Sequence, residues 1–435
     1  MGSDDDSLGR AGDVRDPGRH WFALCALSVI VASDYKVRVR PVDEPLSGSL
    51  DVFIALEVAI YGAVALYLVL SQAGFPKVRR MPTVLYLSCS YVALLAISLI
   101  HAPYFSFAVV RVLEVLVILG LTLAAWNRAT RADMHRFAHW FLILVLASIA
   151  VGILIPMPRF AYQEQRFTWL RLHPGDAAVY LALAVVVSLA YVVSRSTQRP
   201  GPRWPHWVYV ALLVVNVVAL AATITRGAML GSLTGCAVVV ALIYRGRQRI
   251  LLASGLVAGA VIVFLLAGGP LMAFVIRGDN AQQLATLSSR TELWSFAWEA
   301  IQQQPIFGWG IGASRGIFLN DIGLGGGHNA LVNVAVDIGL VGAAIWAALI
   351  VSLLVTVLRA EPGGARGLGV DRALVLGTMA CLLVDGVFLQ GLGSVANVAG
   401  TWLFVCVAWA VLVGRPDSRR PTHSGRPLLP WRTST

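Results

Sequence analysis

Four residues bring charge or proton-transfer chemistry to places where an otherwise apolar chain has no structural use for it. Arg226, in Thr225-Arg226-Gly227-Ala228, separates two long apolar runs with almost no polar sequence around it. Charge at membrane depth is expensive without a partner, so this cation points to an anionic ligand more than to solvent. Arg290 falls in Ser289-Arg290-Thr291-Glu292, a capping-box pattern that predicts a helix starting at Arg290. A cation is disfavoured among the free N–H groups of a first turn, and an anion held there reverses that penalty. His328-Asn329 stands directly before another apolar run and after the glycine-rich stretch 323–327. Glycines allow left-handed backbone beside the histidine. The helix that follows favours a neutral imidazole, which can accept a proton. Asp385 lies inside an apolar run, with two roles open to it: pairing with an outer arginine or orienting His328. Arg166 and Arg171 alternate with Phe160, Tyr162, Phe167 and Trp169, a pattern that fits either interfacial anchoring or contact with an anionic headgroup or diphosphate. The chemistry implied is an anion held by arginines beside a base.

The elements that must position these residues follow from composition. Of 435 residues, 57% are hydrophobic and 13% charged, with a net charge of +11. Soluble proteins carry about a quarter charged residues, so a soluble enzyme, a disordered chain and a disulfide scaffold are all excluded. The fold class expected is all-α and polytopic, with about 12 transmembrane helices of ~20 residues each. The apolar segments are 21–35, 51–72, 82–101, 105–126, 138–156, 175–194, 206–224, 228–244, 250–270, 330–357, 372–390 and 395–413. The organisation expected is a cytoplasmic tail (1–20), nine spans (21–270), a periplasmic loop (271–329), three spans (330–413) and a second cytoplasmic tail (414–435). The first segment resembles a signal-peptide core, but its long polar lead favours a retained short span.

With the N-terminus inside, cytoplasmic segments hold 23 basic and 9 acidic residues, whereas the opposite side holds 10 and 11. That asymmetry satisfies the positive-inside rule and places both termini in the cytoplasm. It also accounts for the basic charge without nucleic acid. Cys25, Cys89, Cys236, Cys381 and Cys406 fall in the spans and read as packing residues. In the long loop, Leu293, Trp294, Ala297, Trp298 and Ile301 form an apolar stripe at helical spacing, ended by Pro305. This amphipathic helix is expected to lie on the outer leaflet or over the bundle. Arg111 and Glu114 are expected to pair. The sparse outer acids suggest no metal site, and no cofactor is expected.

The sequence resembles the O-antigen ligase and polymerase superfamily of bacterial inner membranes. The resemblance is carried by Thr225-Arg226-Gly227-Ala228, by Arg290 with Trp294, and by Pro305-Ile306-Phe307-Gly308-Trp309-Gly310-Ile311-Gly312. It continues through His328-Asn329 and Gly339-Leu340-Val341-Gly342, covering about 225–342. The family's amide often stands two residues after the histidine, whereas Asn329 is adjacent and Ala330 follows. The resemblance implies a helical fold related to the lipid-donor glycosyltransferases (GT-C-like) and an active site on the periplasmic face. It implies metal-independent, inverting transfer of an O-antigen glycan from undecaprenyl diphosphate to a sugar hydroxyl of lipid A–core, in lipopolysaccharide biosynthesis. His328 would be the base, and Arg226, Arg290, Arg166 and Arg171 would hold the diphosphate. Asn329 and Asp385 would complete the site. An O-antigen polymerase, or an exopolysaccharide or protein-glycan ligase, would use the same chemistry on a different acceptor. A transporter of lipid-linked saccharide would place its charges at midplane, in related repeats.

Overall fold

The computed structural model describes residues 20–35, 37, 46, 51–71, 81–156, 166–194, 202–244, 246–247, 290–323, 325–360, 368–394 and 396–414. All regular structure among them is helical. The helices are α1 (Trp21–Asp34), α2 (Val52–Ser71), α3 (Thr83–Ile97), α4 (Phe105–Arg128), α5 (Arg131–Leu154), α6 (Pro174–Val193) and α7 (His206–Ala222). They continue as α8 (Arg226–Ile243), α9 (Arg290–Gln303), α10 (Ala313–Ile322), α11 (Ala330–Arg359), α12 (Leu368–Gly386) and α13 (Val398–Val413). Helices occupy the expected apolar segments except 250–270, which lies outside the described residues, as do 1–19 and 415–435.

Seven helices, α2, α3 with its 3-10 extension, α4, α5, α6, α8 and α11, are long and apolar enough to cross a membrane. The chain is therefore a multi-pass helical membrane protein, in which each helix satisfies its own backbone away from water. Burial separates an inner set from an outer one. Every residue of α13 is buried, and α6 is buried over almost its whole length. α2 and α7 instead expose leucine and valine faces, including Leu56, Leu70, Val214 and Val218, as lipid-facing helices do.

Two polar ties fix the inner set. At one end, Asp34 at the foot of α1 accepts from Tyr180 Oη of α6 and from Val398 N of α13, both at 2.8 Å. At the other end, Asp371 of α12 pairs with Arg131 and lies 3.1 Å from His135 Nε2. Asp371 also accepts from Trp409 Nε1 at 2.7 Å, and His135 Nδ1 meets Tyr191 Oη at 2.9 Å. This buried network joins α5, α6, α12 and α13. α5 starts earlier than hydropathy implies, at Arg131, because Thr130 and Asp133 close a capping box. Arg111 and Glu114 pair at 2.7 Å as expected, with Glu57 at 4.0 Å.

Candidate active site

Arg226 is placed by the small residues that follow it. Gly227, Gly231 and Gly235 lie four apart on one face of α8, and they pack against α12 running antiparallel. A Cβ at Gly231 would stand 2.7 Å from the Cys381 carbonyl and 3.4 Å from Asp385 Cβ, and one at Gly235 would stand 2.6 Å from the Gly377 carbonyl. Small-xxx-small faces let two helix backbones touch where lipid supplies no hydrophobic drive. Gly227 in turn lies under Phe388, where an added Cβ would stand 2.7 Å from Phe388 Cβ. The first turn of α8, with half-buried Arg226, is thus pinned to the last turn of α12. Asp385 there is 3% exposed.

His328 comes to the same turn of α12 from α11. Asn329 caps α11, its Oδ1 accepting from Val332 N at 3.1 Å, and its Nδ2 donates to Val387 O at 3.3 Å. Gly386 packs on Ala330. His328 is half-buried, with φ of 45°, in the left-handed region that the glycine run was expected to permit. Three bonds hold the strand before it: Gly327 N to Asn333 Oδ1 (2.8 Å), Trp294 Nε1 to Gly327 O (3.2 Å), and Gln390 Nε2 to Gly325 O (3.2 Å). Strain at one residue persists only where its surroundings over-determine it. Those bonds are such surroundings.

The long loop has more structure than one amphipathic helix. α9 opens at Arg290 as expected; the Arg290 side chain and Ser289 lie outside the described residues. Its buried face is Leu293, Ala297, Ala300 and Ile301, whereas Trp298 is 55% exposed, because Ala300 rather than Trp298 completes the inward spacing. Residues 305–312 then plug a gap in α11, which was expected to be continuous. Ile338 and Gly339 leave helical geometry, with Gly339 at φ of 69°. Trp309 N donates to Val336 O (2.9 Å), Gly310 N to Asp337 O (2.8 Å), and Leu340 N to Pro305 O (2.8 Å). The glycine motif and the Gly339-Leu340-Val341-Gly342 motif are therefore the two halves of one joint. Asp337 Oδ1 also accepts from Ser314 N at 2.7 Å, capping α10, a helix that mixed polarity had hidden.

Arg166 holds the turn between α7 and α8. Its Nε donates to Thr223 O at 2.9 Å and its Nη2 to Thr225 Oγ1 at 2.8 Å, directly beside Arg226. Arg171 is half-buried in the turn before α6. His173 caps α6, its Nδ1 accepting from Gly175 N at 3.0 Å. Crowding by protein, with Arg166 adding to it, pushes this histidine down to about 4. Gly175 packs on Leu389, which brings the start of α6 to the same place. The first turns of α6, α8 and α11 and the last turn of α12 thus converge at one end of the bundle. Three helix N-termini there supply partial positive charge to an anion.

This arrangement defines a membrane-embedded helical protein with a cationic, histidine-bearing site at one end. Residues 209–347, from α7 to the middle of α11, match the family described as O-antigen ligase. The matched stretch contains Arg226, Arg290, Asn329, His328 and both halves of the joint, whereas Asp385, Arg166 and Arg171 lie beyond it. No curated protein shows significant similarity to the chain.

Proposed function

We propose that the protein transfers a glycan from a lipid diphosphate, undecaprenyl diphosphate in bacteria, to a sugar hydroxyl of lipid A–core on the periplasmic side of the inner membrane. The observation that carries this reading is that the neighbours of Arg226 and His328 reach adjacent residues just past the end of α12, Gly227 packing on Phe388 and Asn329 bonding to Val387 O. A base and a phosphate-holding cation are the two groups the reaction needs. His328 removes the proton from the acceptor hydroxyl as its oxygen attacks the anomeric carbon. The bond from that carbon to the diphosphate breaks, and its electron pair leaves on the phosphate oxygen. One displacement inverts the anomeric configuration. Arg226 and Arg290 meet the developing charge with charge-assisted hydrogen bonds, with Arg171 at the rim. Arg166 keeps Arg226 in place through the turn it braces. Asn329 fixes the helix start behind the base, and Asp385 packs against Gly231, one turn along α8 from Arg226. The family match over 209–347 and the helical membrane architecture support a fold of the lipid-donor glycosyltransferase kind.

The test is transfer by purified protein given lipid-diphosphate glycan and lipid A–core. His328→Ala should remove transfer by at least about 100-fold, the scale of a lost general base, while the protein stays folded in the membrane. Because arginines rather than a divalent cation hold the leaving group in this mechanism, chelator should leave the rate unchanged. Glycan lengthening on the lipid carrier, with none reaching the core, would replace the ligase reading by a polymerase. Lipid translocation without transfer would end the enzyme reading.

A further inference from the structure

Three charged side chains at the same end have no place in the arrangement above or only a partial one. Arg315 sits on α10, which is pinned on three sides. Gly312 lies against Phe107, Gly316 lies against Tyr104, and Ser314 N is held by Asp337. The Arg315 guanidinium lies 6.0 Å from the centre of the Phe107 ring, and its Nε is buried without a hydrogen bond. Asp176, in the first turn of α6, is within electrostatic range of Arg315, yet no ion pair joins them among the described residues. Asp176 reaches solvent at the head of α6. Asp385 lies within range of Asp176, and its buried Oδ1 also lacks a hydrogen bond.

Opposite charges this close in a poorly solvated place normally collapse into a salt bridge, because buried polar atoms are costly when unpaired. Here the two groups stand on different helices, α10 and α6, with no ion pair between them among the described residues. The ligand that suits the gap is decided by what each group tolerates. A phosphate would be repelled by Asp176 and Asp385. A metal cation would be repelled by Arg315 and by Arg111, which is also within range of it. An apolar group would leave all the polar atoms unpaired. A sugar ring satisfies every one of them: its hydroxyls donate to carboxylates and accept from guanidinium, and its C–H face packs on an aromatic ring such as Phe107 or Tyr104. Burial and Arg111 lower the proton affinity of Arg315, with Asp176 opposing them.

We propose that Asp176 and Arg315, backed by Asp385, form a saccharide subsite that grips the hydroxyls of one sugar ring in one of the two glycan substrates. The inference rests on the transfer reading of the neighbouring site, but it is separable from it by binding. The probes are delipidated core oligosaccharide and the free glycan released from the donor lipid. Each is titrated into full-length protein in nanodiscs, as wild type, Asp176→Asn and Arg315→Gln. Both variants should weaken binding of one probe by about tenfold or more, the scale of a lost sugar hydrogen bond to a charged group. Loss confined to the core oligosaccharide assigns the subsite to the acceptor, and loss confined to the free glycan assigns it to the donor. In the transfer assay the same substrate's KM should rise while kcat stays within about threefold. Unchanged binding of both probes in folded variants, or no binding of either by wild type, overturns the subsite. Binding that behaves as expected in a protein that moves no glycan would instead overturn the transfer reading and leave the subsite standing.

Discussion

At the scale of single residues, the polar end of the bundle separates residues that hold structure from residues left to act. Arg166 is committed to the Thr223–Thr225 turn, whereas Arg226 beside it opens a helix at a place where three N-termini meet. Arg226→Lys keeps the charge but loses the planar fork that a diphosphate can engage at two points. Transfer should fall by about tenfold or more, read as kcat/KM for the lipid-diphosphate donor; an unchanged value would reduce Arg226 to a point charge. His173 has a different signature. Its folded value near 4, against 6.5 in the unfolded chain, means the native state holds it neutral. Its contribution is complete above pH 6.5 and is lost as pH falls from there toward 4. His173→Asn keeps a helix-capping acceptor without titrating. The thermal midpoint of wild type should therefore drop relative to this variant over that interval, and a constant gap would refute it. Arg226 and Asp385 were legible in sequence because an ionisable group inside apolar sequence is conspicuous, and His328 because it follows a glycine run at the head of one. Arg315 and Asp176 were not, because each sits at an element boundary among other polar residues, where charge is ordinary.

At the scale of elements, what hydropathy could read was where helices run; what it could not read was where one breaks. Ile338-Gly339 lies inside a continuous apolar stretch, so α11 looked like a single span. The break needs the Pro305–Gly312 segment to satisfy it, a long-range pairing that periodicity does not encode. Gly339→Ala tests the joint. A Cβ there would overlap the Ile306 backbone, and the left-handed angle adds strain. The cost should be about 1–3 kcal/mol or more, measured as a lowered unfolding midpoint in detergent, together with loss of transfer because His328 rides on the half-helix above the break. A midpoint equal to wild type would mean that the joint yields without penalty. The Gly227-Gly231-Gly235 face was open to reading from sequence, since its spacing is a known signal for close helix contact. Its partner, α12, became visible only in three dimensions.

At the scale of the whole molecule, the +11 charge divides into a topology signal and a functional remainder. In the sequence, the segments assigned to the cytoplasm hold 23 basic and 9 acidic residues, and those assigned to the other side 10 and 11. If the basic excess sets orientation, export-dependent phosphatase fusions after residues 156, 225 and 394 will be active, and those after 129, 203 and 414 inactive. The reverse pattern would put the site on the cytoplasmic face and remove the periplasmic reaction from consideration. The plugged break in α11 bears on how such a site is made. The segment that fills the gap precedes the gap in the chain, so it is synthesised first and must already stand at the far end when α11 arrives. The half-helix that follows His328 can lock only against a segment that already stands in place. If the basic excess sets the orientation, assembly of the candidate site is conditional on translocation, and a chain arrested on the ribosome's side of the membrane holds the residues without the joint that arrays them.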